Sequence, residues 1–294
     1  MNNKRAIRYA ILAALLYAIS TPFSKILMEK LSPALLAGLL YLGAGAGMSV
    51  VQCFSKDKKK GTNSFTHKDL PFLAGMVVLD IAAPLLLMLA IKNSAAESVS
   101  LLNNFEIVAT SIIALLFFKE KISPCLWCGI TCITLASILL SLDDISSFSI
   151  SAYSLYAVLA CVCWGLENNC TRKLSHNDPA KIVIIKGFGS GTGSILVAIL
   201  IGSRFTLTPY IVWALLLGFV AYGLSIYFYV YAQRYIGAAK TSAFYALAPF
   251  IGAVLSFAIF PKVPSPLFII AFFIMTAGAF LASHEREDNK NEQT

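Results

Sequence analysis

The sequence predicts an all-α integral membrane protein, with ten transmembrane helices arranged as two inverted five-helix repeats. Three observations predict it. Apolar stretches of about twenty residues, each enough to cross roughly 30 Å of hydrocarbon, recur along the whole chain. Only 13% of the 294 residues are charged and 58% are hydrophobic, against about 25% charged in an ordinary soluble domain. The two halves also resemble one another at a nearly constant offset. Helices rather than a β-barrel follow because the segments are long and continuous, and lipid demands that each backbone bond internally.

The expected spans are 8–28, 34–54, 70–91, 96–118, 124–142, 152–172, 180–202, 210–232, 237–259 and 266–283. The first follows Lys4, Arg5 and Arg8. Its run from Ala10 to Ile19 has the look of a signal peptide, but it continues through Pro22 and Lys25 to Met28 without a small-residue cleavage site. The second opens after Pro33 and carries Gly43, Gly45 and Gly47; the seventh opens after Pro179 and carries Gly189, Gly191 and Gly193. Both sets contain GxxxG-type pairs that suit close helix packing. Span three holds Asp80 with Pro84 one turn later, and span four holds Asn103, Asn104, Glu106 and Thr110.

Span five carries Cys125, Cys128 and Cys132 at helical spacing, and no His, Asp or Glu lies within that run. These thiols read as small packing groups, and no metal is expected. Span six is marked by Trp164, Glu167, Asn168 and Thr171; span seven adds Lys186; span eight has Tyr222, Ser225 and Tyr229 on one face; span nine has Tyr245 and Pro249. Span ten begins at Pro266.

Charge sets the direction. The chain is basic, with formal charge +8. If the N terminus is cytoplasmic, seventeen Lys and Arg fall in inner segments, including Lys56, Lys58, Lys59, Lys60, Lys119, Lys121, Arg172, Lys173, Arg234 and Lys240. Only Lys30, Lys92, Arg204 and Lys262 fall outside. This bias predicts both termini inside and an even number of spans. Because the basic residues lie in short breaks between apolar runs, no basic domain remains for nucleic acid.

The repeat divides the chain at 1–145 and 146–294. Pro33, Gly43, Gly45 and Gly47 match Pro179, Gly189, Gly191 and Gly193 at a separation of 146. Ala90, Ala96, Ser100, Phe118, Ser123 and Pro124 match Ala232, Ala238, Ser242, Phe260, Ser265 and Pro266 at 142. Five spans per half make the second copy enter from the opposite side, an architecture suited to a central site open alternately to either face. At an offset of 147, Tyr17, Ser20, Thr21 and Ser24 recur as Trp164, Glu167, Asn168 and Thr171. The i, i+3, i+4, i+7 spacing puts each set on one helical face, unsuited to lipid.

Intramembrane acids are costly unless hydrated, paired or protonated. Glu106, in a polar stripe with Asn103 and Thr110, is a candidate for solute contact or proton uptake, or is a structural hydrogen-bonded acid. Glu167 and Lys186 sit at matching depths on consecutive helices and can pair, as a structural ion pair or as part of a gate or pocket. Asp80 has fewer polar neighbours in sequence. Lys25 and Glu97, near outer helix ends, can reach the headgroups. Tyr222, Tyr229 and Tyr245 offer ring faces and hydroxyls to an organic solute, or serve as packing.

The pattern Ala14-Leu15-Leu16-Tyr17-Ala18, its second form Ala160-Cys161-Val162-Cys163-Trp164-Gly165, and the ending Phe117-Phe118-Lys119-Glu120 resemble the drug/metabolite transporter superfamily, specifically its EamA-type members. Phe260-Pro261-Lys262 departs from that ending in the second half. The resemblance covers nearly all the chain. It implies a central cavity formed by spans one to four and six to nine, with Tyr17, Ser20, Glu106, Trp164, Glu167, Asn168, Lys186 and Tyr245 on its wall. Asn103 and Tyr222 join this set from their own positions. Spans five and ten are then peripheral and support assembly, so a homodimer is among the expected partners, beside the bilayer and a small solute.

The expected function is secondary transport across the cell membrane. Export of amino acids or small amphiphilic metabolites comes first, and export of cationic compounds is the alternative. Glu106, Glu167 and Asp80 are the candidates for proton coupling. A channel or a membrane scaffold is the rival class. No GxxxxGK[ST] loop is present, and His67, His176 and His284 assemble no enzymatic motif, so neither an enzyme nor a cofactor is expected.

Overall fold

The computed structural model describes residues 3–54, 65–118, 124–144, 149–174, 177–203, 208–232 and 244–291. Lys56, Lys58, Lys59, Lys60, Lys119, Glu120, Lys121, Ser123, His176, Arg204, Arg234, Ala238, Lys240 and Ser242, all used above, lie outside these residues.

The described chain is helical except for one short antiparallel hairpin of β1 (Leu142–Asp144) and β2 (Ser149–Ile150). Helix α1 (Asn3–Ala18) is followed after Ile19 by α2 (Ser20–Leu27). Pro22 supplies no N–H for the carbonyl four residues earlier, at Ala18, which places the interruption there. Then come α3 (Pro33–Phe54), a 3₁₀ turn (His67–Asp69) and α4 (Leu70–Asn93). Pro84 inside α4 likewise leaves the Asp80 carbonyl without its helical donor.

The fourth expected span is discontinuous: α5 (Ala96–Leu102) stops at Asn103 and Asn104, and α6 (Phe105–Phe118) continues. Asn side chains compete for backbone groups, and Asn104 Nδ2 donates to the Leu101 carbonyl at 3.3 Å. The Leu102 carbonyl, exposed by the break, accepts from the Cys161 thiol at 3.5 Å. Next are α7 (Pro124–Ser141), α8 (Ala152–Leu174) and α9 (Pro179–Leu200), the last capped by Asp178, whose carboxylate accepts from Ala180 N at 3.0 Å. Helix α10 (Tyr210–Gly218) runs through a π-helical turn (Phe219–Leu224) into α11 (225–232). Helices α12 (Ala248–Ile259) and α13 (Pro266–Asn291) complete the bundle.

Among the described residues, six helical stretches are long and apolar enough to cross a membrane: Arg5–Leu27, Pro33–Phe54, His67–Asn93, Ala96–Phe117, Pro179–Leu200 and Tyr210–Ala232. The expected ten are not reached on this measure. Pro124–Leu140, Ala248–Ile259 and Pro266–Leu281 are apolar but shorter, and α8 has the length while its last third, from Glu167 to Lys173, is polar. The distribution of polarity nonetheless suits lipid. Phe117, Trp213, Phe273 and Phe280 are 62% to 72% exposed, whereas Asp80, Glu167 and Lys186 are buried. A water-soluble protein has the reverse arrangement.

The most extensive packing joins early helices to late ones: α3 to α9, α4 to α8, and α7 to α13. Glycines permit the α3–α9 approach, since a Cβ on Gly187 would fall 2.4 Å from the Gly45 backbone. On its other side α3 meets α10, where a Cβ on Gly43 would lie 2.1 Å from the Leu215 carbonyl oxygen and one on Gly218 2.0 Å from that of Leu40. Gly189 and Gly193 face Val77 and Ile81 of α4 instead. The evenly spaced glycines therefore serve several seams rather than one.

Candidate functional site

Helix α8 carries Trp164, Glu167, Asn168 and Thr171 on one face, with Trp164 and Glu167 buried and Asn168 and Thr171 half-buried. Lys186 of α9 lies 2.9 Å from Glu167 and 3.1 Å from Asp80 of α4. The three side chains are 9%, 3% and 0% exposed respectively. Thr171 donates its hydroxyl to Glu167. Tyr41 of α3 donates to Asp80 Oδ1 at 3.0 Å. Asp80 looked sparsely supported in sequence because both of its partners come from distant helices.

A second group joins α6 to α8. Asn168 Nδ2 donates to Glu106 Oε1 at 2.6 Å and to Thr110 Oγ1 at 3.3 Å. Gly165 allows this, since a Cβ there would sit 2.8 Å from the Ala109 Cβ. Asn169 Nδ2 bonds the Gly165 and Thr110 carbonyls at 2.8 and 3.4 Å. The stripe expected from Asn103, Glu106 and Thr110 is divided: Glu106 and Thr110 share Asn168, while Asn103 sits at the end of α5 on the far side of the helix break.

The third group is aromatic. Tyr17 of α1 has its ring centroid 5.9 Å from that of Tyr222 and 5.6 Å from that of Tyr245. Tyr222 also approaches Tyr41 at 5.3 Å, and Tyr229 approaches Tyr245 at 4.9 Å. Ser20 Oγ donates to the Tyr222 hydroxyl at 3.3 Å. Ser225 Oγ donates to the Ala13 carbonyl at 3.0 Å and shares a hydrogen bond with the Tyr245 hydroxyl at 3.3 Å. Tyr222 lies in the π-helical turn, whose extra residue rotates it relative to a regular α-helix; such turns recur at functional sites. Glu106 is within electrostatic reach of both Tyr17 and Tyr245.

Ser20, Asn103, Trp164, Glu167, Lys186 and Tyr222 are buried, whereas Tyr17, Glu106, Asn168 and Tyr245 are half-buried and form the more accessible side. A cavity of about 190 Å³ lies between α12 and α13, against Phe257, Phe268 and Phe272. Another of about 170 Å³ lies between α4, α6 and α8, against Phe72, Phe117, Asn169 and Cys170. Both walls are apolar.

Two residues acquire roles that sequence reasoning did not assign. Tyr41 links Tyr222 to Asp80; its only sequence signal is a lone phenol in a run of small and aliphatic residues. Lys25, expected among headgroups, donates to the carbonyls of Ile91, Lys92 at 2.8 Å and Ser94 at 2.9 Å, capping the end of α4. Cys125, Cys128 and Cys132 are free thiols. Among the described residues no group of three or more His, Cys, Asp or Glu is placed to hold a metal ion.

Comparison with known proteins adds three findings. An uncharacterized transporter of Methanothermobacter thermautotrophicus is 24% identical over 289 residues, covering 92% of this chain and 84% of that protein. A crystal structure at 16% identity superposes with a TM-score of 0.68 over 96% of this chain and 97% of its own, a likeness of fold. The model of the EamA-like transporter family matches residues 4–142 and 151–284. Nearly the whole helical chain is thereby accounted for: it belongs to the EamA-like transporter family, as a multi-pass membrane transporter and not an enzyme.

Proposed function

We propose that this protein is a secondary transporter that exports amino acids or small amphiphilic metabolites across the cell membrane by alternating access. In this reading ten helices form two inverted five-helix repeats, 1–145 and 146–294, with both termini cytoplasmic. The observation that carries it is convergence: Tyr17, Ser20 and Glu106 from the first half meet Asn168, Tyr222 and Tyr245 from the second inside an apolar-surfaced bundle. The two separate matches to the family model support the duplication. The tight packing of early helices on late ones supports a rocking motion of one half against the other.

Solute meets ring faces at Tyr17, Tyr222 and Tyr245 and polar groups at Glu106 and Asn168, with Asn103 and Ser20 at the edge. Glu106, Glu167 and Asp80 are the candidate proton carriers. A second reading, export of organic cations, is favoured by the carboxylate of Glu106 within electrostatic reach of Tyr17 and Tyr245, since cations are drawn both to carboxylates and to aromatic rings. Peripheral α7 and α13 are the surface on which a homodimer would form.

Reconstituted vesicles test the reading. Labelled amino acids and organic cations are loaded inside, and efflux is followed with and without excess unlabelled solute outside. Saturable counterflow, reduced at least about tenfold by Glu106→Gln, is the expected result. Flux that rises without saturation assigns a channel, and absence of flux for every solute favours a scaffold.

A further inference from the structure

We propose that Asp80 carries the coupling proton on Oδ2, and that loss of this proton re-forms the ionic tie to Lys186 that closes the bundle between its two halves. The inference rests on the secondary-transport reading and deepens it, assigning the proton to one atom and the closure to one contact.

The charge count carries it first. One ammonium, Lys186, stands between two carboxylates, Asp80 and Glu167, all almost completely buried. Among the described residues, the hydrogen bonds that complete the group come from the Tyr41 and Thr171 hydroxyls, which are neutral. One negative charge is therefore in excess where solvation is poor, and a single proton neutralises it. Glu167 is the closer carboxylate to Lys186 and also accepts from Thr171. Asp80 has Oδ1 occupied by Tyr41, while Oδ2 is a buried oxygen 3.1 Å from Lys186 that accepts no aligned hydrogen bond. Buried oxygens without such a bond are exceptional, so as a carboxylate Asp80 is the less compensated of the two acids and the one whose charge a proton removes at least cost. The other titratable groups facing the pair are Tyr41 of α3, Tyr222 of the π turn and Cys170 of α8. None is an acid of carboxylic strength.

Topology then gives the proton a mechanical effect. Lys186 and Glu167 belong to the neighbouring helices α9 and α8, so with Asp80 neutral they remain a balanced pair within the second half. The Lys186–Asp80 contact instead joins that half to α4 of the first. Lys186 lies seven residues from the start of α9 and Glu167 seven from the end of α8, about 10 Å from the helix ends at 1.5 Å per residue. A proton arriving from water on Oδ2 loosens the tie. Its return to water on the other side restores it, with no other bond made or broken.

Infrared difference spectroscopy of the full chain in lipid nanodiscs, between alkaline and acidic pH, tests the proton without any solute. The C=O band of a protonated buried carboxyl is expected in the wild type and in Glu106→Gln, and should be lost in Asp80→Asn. A band untouched by Asp80→Asn, or lost only in Glu106→Gln, overturns the proposal. If Asp80→Asn does not fold, Lys186→Gln decides instead. It leaves two buried carboxylates without an ammonium, so the band should grow about twofold, and an unchanged band overturns the proposal.

Cys170, beside α4, reports the tie: a Cβ on Gly75 would lie 3.3 Å from its Sγ. In a chain whose sole cysteine is Cys170, Asp80→Asn should speed maleimide labelling about threefold or more at alkaline pH and leave acidic rates equal. Equal rates at every pH refute the closing role. Neither measurement requires transport, so failure to find any solute leaves this inference standing, and the reverse also holds.

Discussion

Lys186 is the residue on which the buried polar network depends, because its ammonium lies between Asp80 and Glu167 at 3.1 and 2.9 Å. Removing one member of a buried ionic group typically costs about 3–5 kcal/mol, since the charges left behind are neither solvated nor paired. Lys186→Met should therefore lower the thermal midpoint of the detergent-solubilised protein markedly. The double variant Lys186→Met with Asp80→Asn should recover part of the loss, because one uncompensated carboxylate disappears. Additive losses would mean that the pair contributes nothing jointly. Glu167 and Lys186 were legible as partners from their matching depths on consecutive helices. Tyr41 and Asp80 were not, since their contact joins α3 to α4 from positions without any shared pattern.

At the scale of elements, the seams between helices explain why glycine stands where it does. A Cβ on Gly187 would fall 2.4 Å from the Gly45 backbone, so α3 and α9 would have to separate. Gly187→Ala should thus be destabilising, by about 1–3 kcal/mol as for other overpacked sites. Gly75→Ala is the control, because its new Cβ would meet only the Cys170 Sγ at 3.3 Å. Comparable thermal midpoints for the two variants would remove the close-packing explanation. The glycine spacing was visible in sequence, but not how it divides: Gly45 serves α9, while Gly43 and Gly47 face α10 and the π turn at Leu215 and Phe219. The breaks at Ile19 and Asn103 were likewise hidden. Hydropathy averages over a whole crossing and does not register one missing backbone hydrogen bond.

For the molecule as a whole, the side of each connection follows from the charge bias rather than from packing. Single cysteines placed in the 55–64 connection should react with impermeant maleimide only from the cytoplasmic face, and cysteines placed at 145–148 only from outside. Labelling of both from one side would overturn the proposed orientation and, with it, the odd number of spans per half. The same opposition of halves underlies the expected carrier behaviour, because α3–α9 and α4–α8 each join the first half of the chain to the second.

What the sequence by itself determined was the solvent of this protein, its helical class, the polar faces on the first and sixth spans, and the family resemblance. Each follows from composition or from periodicity along one helix, which are local quantities. Only the tertiary structure decided that Asp80 meets Lys186 and Tyr41, that Glu106 and Thr110 share Asn168 without Asn103, and that Lys25 caps α4. Those facts depend on helix rotation and on the helix breaks, both set by packing between helices far apart in the chain, as in the close backbone approach of Gly45 and Gly187.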